Sequence, residues 1–230
     1  MESLLSNIRI NISECLYVKD PESSKLGQRI LSNSIVLIDQ LGFEEFNFKK
    51  LGQEIQSNES SIYRYFENKQ KLLQYLSALY WGILEYRLVV ETTAIQNPEE
   101  RLYKAVEIVT KNPESISTQP HINLNNLRNI IIAEFTKSYH QKHVDEDNSE
   151  GNFSIYKRLV LRIAEMIQLV DSGFKFPKSL ASTILDGSLH QFFISAHFKS
   201  ISDTASNSEV FDFFNQMISR LLNRMTNGSK

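Results

Sequence analysis

The stretch Ser61-Ile62-Tyr63-Arg64-Tyr65-Phe66-Glu67-Asn68-Lys69-Gln70-Lys71-Leu72-Leu73 decides how this chain is read. It joins the end of one short helix to the start of a long one. Downstream, Leu72, Leu76, Leu79 and Ile83 recur at spacings of four, three and four, which predicts a helix from about Lys69 to Val90 with one buried face. Upstream, a short helix starts after Asn58 and carries Ile62, Tyr65 and Phe66. Another runs from about Phe48 to Ile55 with Asn47 as its N-cap, and only Gln56-Ser57-Asn58 separates the two. Before these, Leu26, Ile30, Leu37 and Leu41 recur near multiples of 3.6, and Gly42 stops the helix they define.

Two short helices joined by so few residues and braced by a third make a helix-turn-helix, in which the second helix of the pair enters the major groove of DNA. Leu51, Ile55 and Ile62 are placed to hold the pair together, and Gly52 is small where they approach. The exposed side of the last short helix offers Glu59, Ser60, Ser61, Tyr63 and Arg64.

Leu41-Gly42-Phe43, Phe46-Asn47-Phe48-Lys49-Lys50-Leu51-Gly52 and the run Ser61 to Leu73 together resemble the tetracycline-repressor (TetR) family of bacterial transcription regulators. The most specific part is the run Ile62-Tyr63-Arg64-Tyr65-Phe66 with Lys69 and Leu72, and the resemblance covers about fifty residues. It implies that Tyr63, Lys69 and Tyr65 touch phosphates and that Glu59, Ser60 and Ser61 face base edges. Lys49, Lys50 and Lys69 open helices at the positive end of the dipole, a placement that an anion such as phosphate would compensate. With the caps Asn47 and Asn58 and with Arg64, these residues make up the candidate DNA-binding set. Asn47 stands where the family has Thr, Gly52 where it has Ala, and Gln56 where the turn has Gly. A left-handed backbone at Gln56 would cost about 1–2 kcal/mol.

Beyond Pro98, amphipathic helices are expected over about 99–111, 123–140, 152–171, 178–200 and 208–226, with polar breaks at 112–122 and 141–151. The whole is an all-α chain of about nine helices. An arm over 1–23 precedes a DNA-binding domain over 24–71 and a helical effector-binding and dimerisation domain over 72–230. Alternation of Ile8, Ile10 and Ile12 suggests an extended segment or an edge strand within the arm. The last two helices are the most apolar, and Leu180, Ile184, Leu189, Phe192, Phe214, Ile218 and Leu221 are the candidate dimer-interface residues of a four-helix bundle across a two-fold axis. The resemblance implies the same homodimer. Tyr80, Trp81, Tyr103, Phe135, Tyr139 and Tyr156 are candidates for lining a pocket for an unknown small-molecule effector.

Composition bounds the alternatives. The net charge of −2 over 230 residues offers no strong overall attraction to nucleic acid. Between residues 47 and 73, however, five cations oppose Glu54, Glu59 and Glu67 for a local charge of +2. A dimer neutralising phosphates with four cations per subunit would show a log–log salt slope near −7, from about 0.9 per phosphate. Cys15 is the single cysteine and suits a reducing compartment. With neither a secretory signal nor a membrane-length apolar run in view, a cytoplasmic protein is expected. No nucleophile–base pair, glycine-rich phosphate loop or paired carboxylates stand out, so neither an enzyme nor a cofactor is expected. His140 and His143 beside Asp145, Glu146 and Asp147 read as a solvated turn, not a metal site. The second reading of the chain is a helical interaction module that keeps the fold without operator binding; Gln56 and the acidic Glu59 lean that way.

Overall fold

The computed structural model describes residues 10–111, 119–139 and 142–222, and among these it is all-α with ten α-helices and no strand. The helices are α1 (Lys25–Leu41), α2 (Phe48–Glu54), α3 (Glu59–Tyr63), α4 (Lys69–Thr92), α5 (Pro98–Thr110), α6 (Leu124–Tyr139), α7 (Val144–Ser149), α8 (Ser154–Val170), α9 (Pro177–His197) and α10 (Asn207–Leu221). The helix not expected is α7, which lies in the polar break at 141–151. Asp145, Glu146 and Asp147 occupy its first turn, where carboxylates favour the positive end of the helix dipole. His143 is exposed there, with Nδ1 3.2 Å from Glu146, whereas His140 lies outside the described residues, as do Ile8 and positions 223–226.

The chain divides into two compact units, one of residues 1–83 with 114–155 and one of residues 84–113 with 156–230. Helix α4 begins in the first and ends in the second.

In the first unit, Leu51, Ile55, Ile62, Phe46 and Phe66 are buried to within 1% and form the core under α2 and α3. On α1 the buried face is Ile30, Leu31, Ser34, Ile35 and Ile38. Leu41, expected on that face, is 42% exposed, so the stripe is rotated by about one position from the one read in sequence. Gly42 ends α1 as expected, with φ +78° and its N–H on the carbonyl of Ile38 at 2.9 Å. The described residues before α1, 10–24, are packed and form no strand. Ile12 and Leu16 are buried, Val18 N–H donates to the carbonyl of Tyr65 at 2.8 Å, and Glu22 meets His121 at 3.0 Å. Leu72, Leu76, Leu79 and Ile83 on α4 are all buried, as their spacing predicted.

In the second unit, α5 packs against α9 and α10, and α9 against α10. Gly187 makes the last approach possible, since a Cβ there would stand 3.0 Å from the ring of Phe214.

Candidate nucleic-acid interface

Helices α2 and α3 are fastened by three local devices. Asn47 accepts Lys50 N–H at 2.9 Å, and Asn58 accepts both Ser61 N–H at 2.8 Å and Ser61 Oγ–H at 2.7 Å, so each asparagine caps its helix. Between them the turn passes through Gln56 at φ +49°, the single non-glycine with positive φ among the described residues. The left-handed turn lets Ser57 N–H reach back to the carbonyl of Gly52 at 2.8 Å. A Cβ at position 52 would lie 2.9 Å from the Ser57 carbonyl oxygen, which is why the family's Ala is absent here. Arg29 of α1 completes the clamp by donating to the carbonyl of Ile55.

The face so formed presents Asn47, Lys49, Asn58, Glu59, Ser60, Tyr63 and Arg64 as exposed side chains, with Lys50 and Ser61 half-buried. The Tyr63 ring packs edge-on against Phe48 at 5.0 Å, and its hydroxyl donates to Glu59 at 3.3 Å, which orients the phenol along α3. Lys49 and Arg64 have no partner among the described residues, so their charges are available to an incoming anion. Lys50 is partly occupied, 2.7 Å from the Glu45 carbonyl and 3.4 Å from its carboxylate.

Two expected phosphate contacts have other work in this structure. Tyr65 is only 4% exposed, and its hydroxyl sits 2.8 Å from Ser24 Oγ, the N-cap of α1. Lys69 points its ammonium at the loop between α1 and α2, donating to the carbonyls of Phe43 at 3.0 Å, Glu44 at 3.0 Å and Phe46 at 3.2 Å. All three of its protons are thereby engaged, and the charge also lies 4.8 Å over the Phe43 ring. Both partner sets lie 23 or more residues away in the chain, beyond the reach of a local pattern.

Helix α6 holds the same loop from the other side. Glu134 accepts Phe43 N–H at 3.3 Å, and Lys137 bridges Glu134 at 2.8 Å and Glu44 at 2.9 Å. The hydrogen bond and charge of Lys137 hold the Glu44 carboxyl below its ordinary value, and the hydrogen bonds of Glu134 and Glu44 raise that of Lys137. Lys71, counted above among the local cations, is instead paired with Asp147 at 3.3 Å and Glu150 at 3.5 Å.

The effector candidates separate into two places. Tyr80, Trp81, Phe135 and Tyr139 form a run of ring contacts at 5.0, 5.0 and 4.7 Å in the first unit. Beside them lies Arg128, a buried cation that sequence reasoning missed. Burial lowers its pKa, and a hydrogen bond with Tyr80 opposes the shift. Tyr103 and Tyr156 belong to the second unit. Tyr103 is 43% exposed against Phe211, and Tyr156 donates to Asp186 at 2.8 Å beside an open cleft of about 400 Å³.

The expected dimer set needs a correction. Leu180, Ile184, Leu189, Phe192, Phe214 and Ile218 are at most 7% exposed within the single chain, and only Leu221, at 46%, faces outward. The most apolar positions of α9 and α10 build the core of their own unit.

Residues 30–76 match the profile of bacterial regulatory proteins of the tetR family. The amino-terminal domain is that of a TetR-family regulator. The match spans α1, α2, α3 and the first turns of α4, the elements that form the face described above. TetR-family proteins are DNA-binding transcription regulators, and residues 30–76 carry the DNA-binding domain of that family. No curated protein sequence matches the chain. Many solved structures share its fold at low identity, three of which follow. A regulator from Saccharomonospora viridis solved with choline has a TM-score of 0.61 at 20% identity over 85% of this chain and 97% of that one. A TetR-family protein from Syntrophomonas wolfei has a TM-score of 0.62 at 14% identity, over 88% and 97%. AibR, solved with isovaleryl coenzyme A and operator DNA, has a TM-score of 0.57 at 17% identity, over 86% and 99%.

Proposed function

We propose that this protein is a ligand-released repressor that binds a palindromic operator as a homodimer. The observation that carries the reading is the TetR-family helix-turn-helix with an exposed, unpaired Lys49 and Arg64 flanking the short reading helix α3. In this reading α3 enters the major groove, Ser60 and Ser61 face base edges with Glu59, and Tyr63, Lys49, Lys50 and Arg64 meet phosphates. Asn47 and Asn58 set the helix starts at the backbone of the duplex.

The dimer uses the outer faces of α9 and α10. On α10, Phe213, Met217 and Leu221 recur every fourth residue, with Phe213 and Leu221 each 46% exposed. On α9, the rings of Phe193 and His197 meet at 4.6 Å with a 43° tilt, followed by Phe198 at 49% exposure. Two such helices, already packed on their own unit by the opposite face, complete a four-helix bundle with a second copy. An effector releases the operator only by binding the non-DNA state more tightly, and equal affinity for both would shift nothing. The neighbours solved with isovaleryl coenzyme A and with choline support such a ligand. No described helix is long and apolar enough to cross a membrane, and an operator-binding role fits a cytoplasmic protein.

The test is a footprint on the selected operator by the wild type and by Lys49→Gln/Arg64→Gln, two exposed positions whose loss leaves the fold intact. The footprint disappears in the double variant. Undiminished protection by that variant would refute the assigned face.

A further inference from the structure

Within the second unit an open cleft of about 270 Å³ lies between the last turns of α4, Arg101 of α5 and the C-terminal half of α8. Leu88, Val89, Met166 and Leu169 form an apolar wall, and Arg101, Arg162 and Glu165 a charged edge. A water occupies about 30 Å³ in the liquid, so the space suits a short apolar chain with one small polar head. It falls just below the range of about 300–1,000 Å³ typical of drug-sized ligands.

The two guanidiniums are tethered by their Nε sides. Arg162 Nε donates to Glu85 Oε1 at 2.9 Å, and Arg158, one turn earlier on α8, takes the same carboxylate through Nε at 3.1 Å and Nη2 at 2.8 Å. Burial pushes the Glu85 carboxyl up, but the hydrogen bonds and charges of Arg158 and Arg162 outweigh it and hold the group below its ordinary value. The anchor is therefore ionised at neutral pH. Arg101 donates from Nε at 2.8 Å and from Nη2 to the carbonyl of Ile95. Among the described residues, Nη1 and Nη2 of Arg162 and Nη1 of Arg101 have no acceptor.

A guanidinium held on one edge and open on the other is preorganised for the planar, two-oxygen geometry of a carboxylate. With Glu85 and Arg158 counted beside the lining, Arg101, Arg158 and Arg162 stand against Glu85 and Glu165, three cations to two anions, so one negative charge is missing. Thr92 and Thr93 donate their hydroxyls to the carbonyls of Leu88 and Val89 and do not compete for the guanidinium donors.

We propose that this cleft binds a small carboxylate with a short apolar tail, its head on the open edges of Arg162 and Arg101 and its tail along Leu88, Met166 and Leu169. Binding itself does not need the repressor reading; the further statement that this ligand is the effector rests on it.

The experiment is calorimetric titration of the full-length protein, without DNA, using 4-methylpentanoate, its amide, 3-methylbutylamine and leucine. The carboxylate binds at least tenfold tighter than the amide or the amine. Shortening its tail by one methylene weakens binding about fourfold, the equivalent of about 0.8 kcal/mol per buried CH₂. Leucine binding as tightly as 4-methylpentanoate would add an ammonium contact at Glu165 to the same carboxylate site. Arg162→Gln abolishes binding. Because Arg162 also steadies Glu85, Leu169→Trp serves as the second variant: Leu169 is 61% exposed, so the larger ring fills the cleft without entering the core. Equal affinity for acid and amide, absence of binding by all four compounds, or undiminished binding by Leu169→Trp would overturn the proposal. A protein that selects an operator yet ignores the carboxylate loses only this site; one that binds the carboxylate yet selects no operator loses only the repressor reading.

Discussion

Replacing Lys69 by Met separates a loop clamp from a phosphate contact. The substitution keeps most of the aliphatic stem and removes three charged donors from the carbonyls of Phe43, Glu44 and Phe46. A hydrogen bond to a charged group contributes about 1.5–3 kcal/mol when fully buried. The Glu44 carbonyl is exposed and re-solvates, and the other two are only part-buried, so a loss of about 2 kcal/mol in total is expected. For a chain of this size that corresponds to about 4–8 °C in Tm. The assay is thermal unfolding of the free protein, paired with operator affinity measured across salt concentrations. The clamp predicts a lower Tm and an unchanged salt slope. If Lys69 instead sat on a phosphate in each subunit, the slope would fall in magnitude by about 1.8 while Tm stayed put. That second pattern would refute the assignment of Lys69 to the loop.

Four further outcomes follow from particular geometries. Gln56→Gly relieves a left-handed residue costing about 1–2 kcal/mol and gives back part of it as backbone entropy, for a net gain of about 0.5–1 kcal/mol in chemical unfolding; a loss would show that the glutamine side chain holds the turn. Gly52→Ala destabilises by about 1 kcal/mol, because moving the Ser57 carbonyl from a 2.9 Å contact outweighs the better helix propensity of alanine; a stabilised variant would mean that the turn yields freely. Glu85, with a folded-state pKa below its unfolded value, contributes stability that is present above the ordinary carboxylate range and lost as pH falls through the lowered value. Glu85→Gln should therefore lower Tm at pH 7 and flatten the acid limb below about pH 4.5, and an unchanged acid limb would remove Glu85 from the account. Phe213→Asp yields a folded monomer in sedimentation, whereas Phe214→Ala, one residue on but buried, lowers stability by about 3–5 kcal/mol; a dimeric Phe213→Asp would move the interface elsewhere.

Periodicity carried the long helices because each has several turns over which a 3.6-residue stripe repeats. The buried set Leu72, Leu76, Leu79 and Ile83 is one example, and the asparagine caps and the small Gly52 were legible for the same local reason. Helix α7 was not, since six residues with three adjacent acids show no period and resemble a solvated loop. The burial of the residues expected at the dimer interface was missed by a different mechanism. Strongly apolar positions are drawn first into the chain's own core, which leaves the outer face a milder stripe such as Phe213, Met217 and Leu221 with Arg220 beside it. The partners of Tyr65 and Lys69 were not legible because Ser24 and the carbonyls of Phe43, Glu44 and Phe46 come from distant sequence. Arg128 was invisible for a related reason: a single arginine among asparagines and apolar residues gives no sign of burial until the fold surrounds it.

The most direct test of the central claim is selection of the purified protein on random duplex DNA at two salt concentrations. Lys69 and Lys71 have partners within the protein, while Lys50 is held only by the exposed Glu45 and can turn to a phosphate, so a dimer has Lys49, Lys50 and Arg64 of each subunit to neutralise phosphate. The account predicts an enriched palindrome and a log–log salt slope near −5, from about 0.9 per phosphate. Weak binding with no enriched sequence would contradict it and leave the helix-turn-helix as a scaffold for a protein partner.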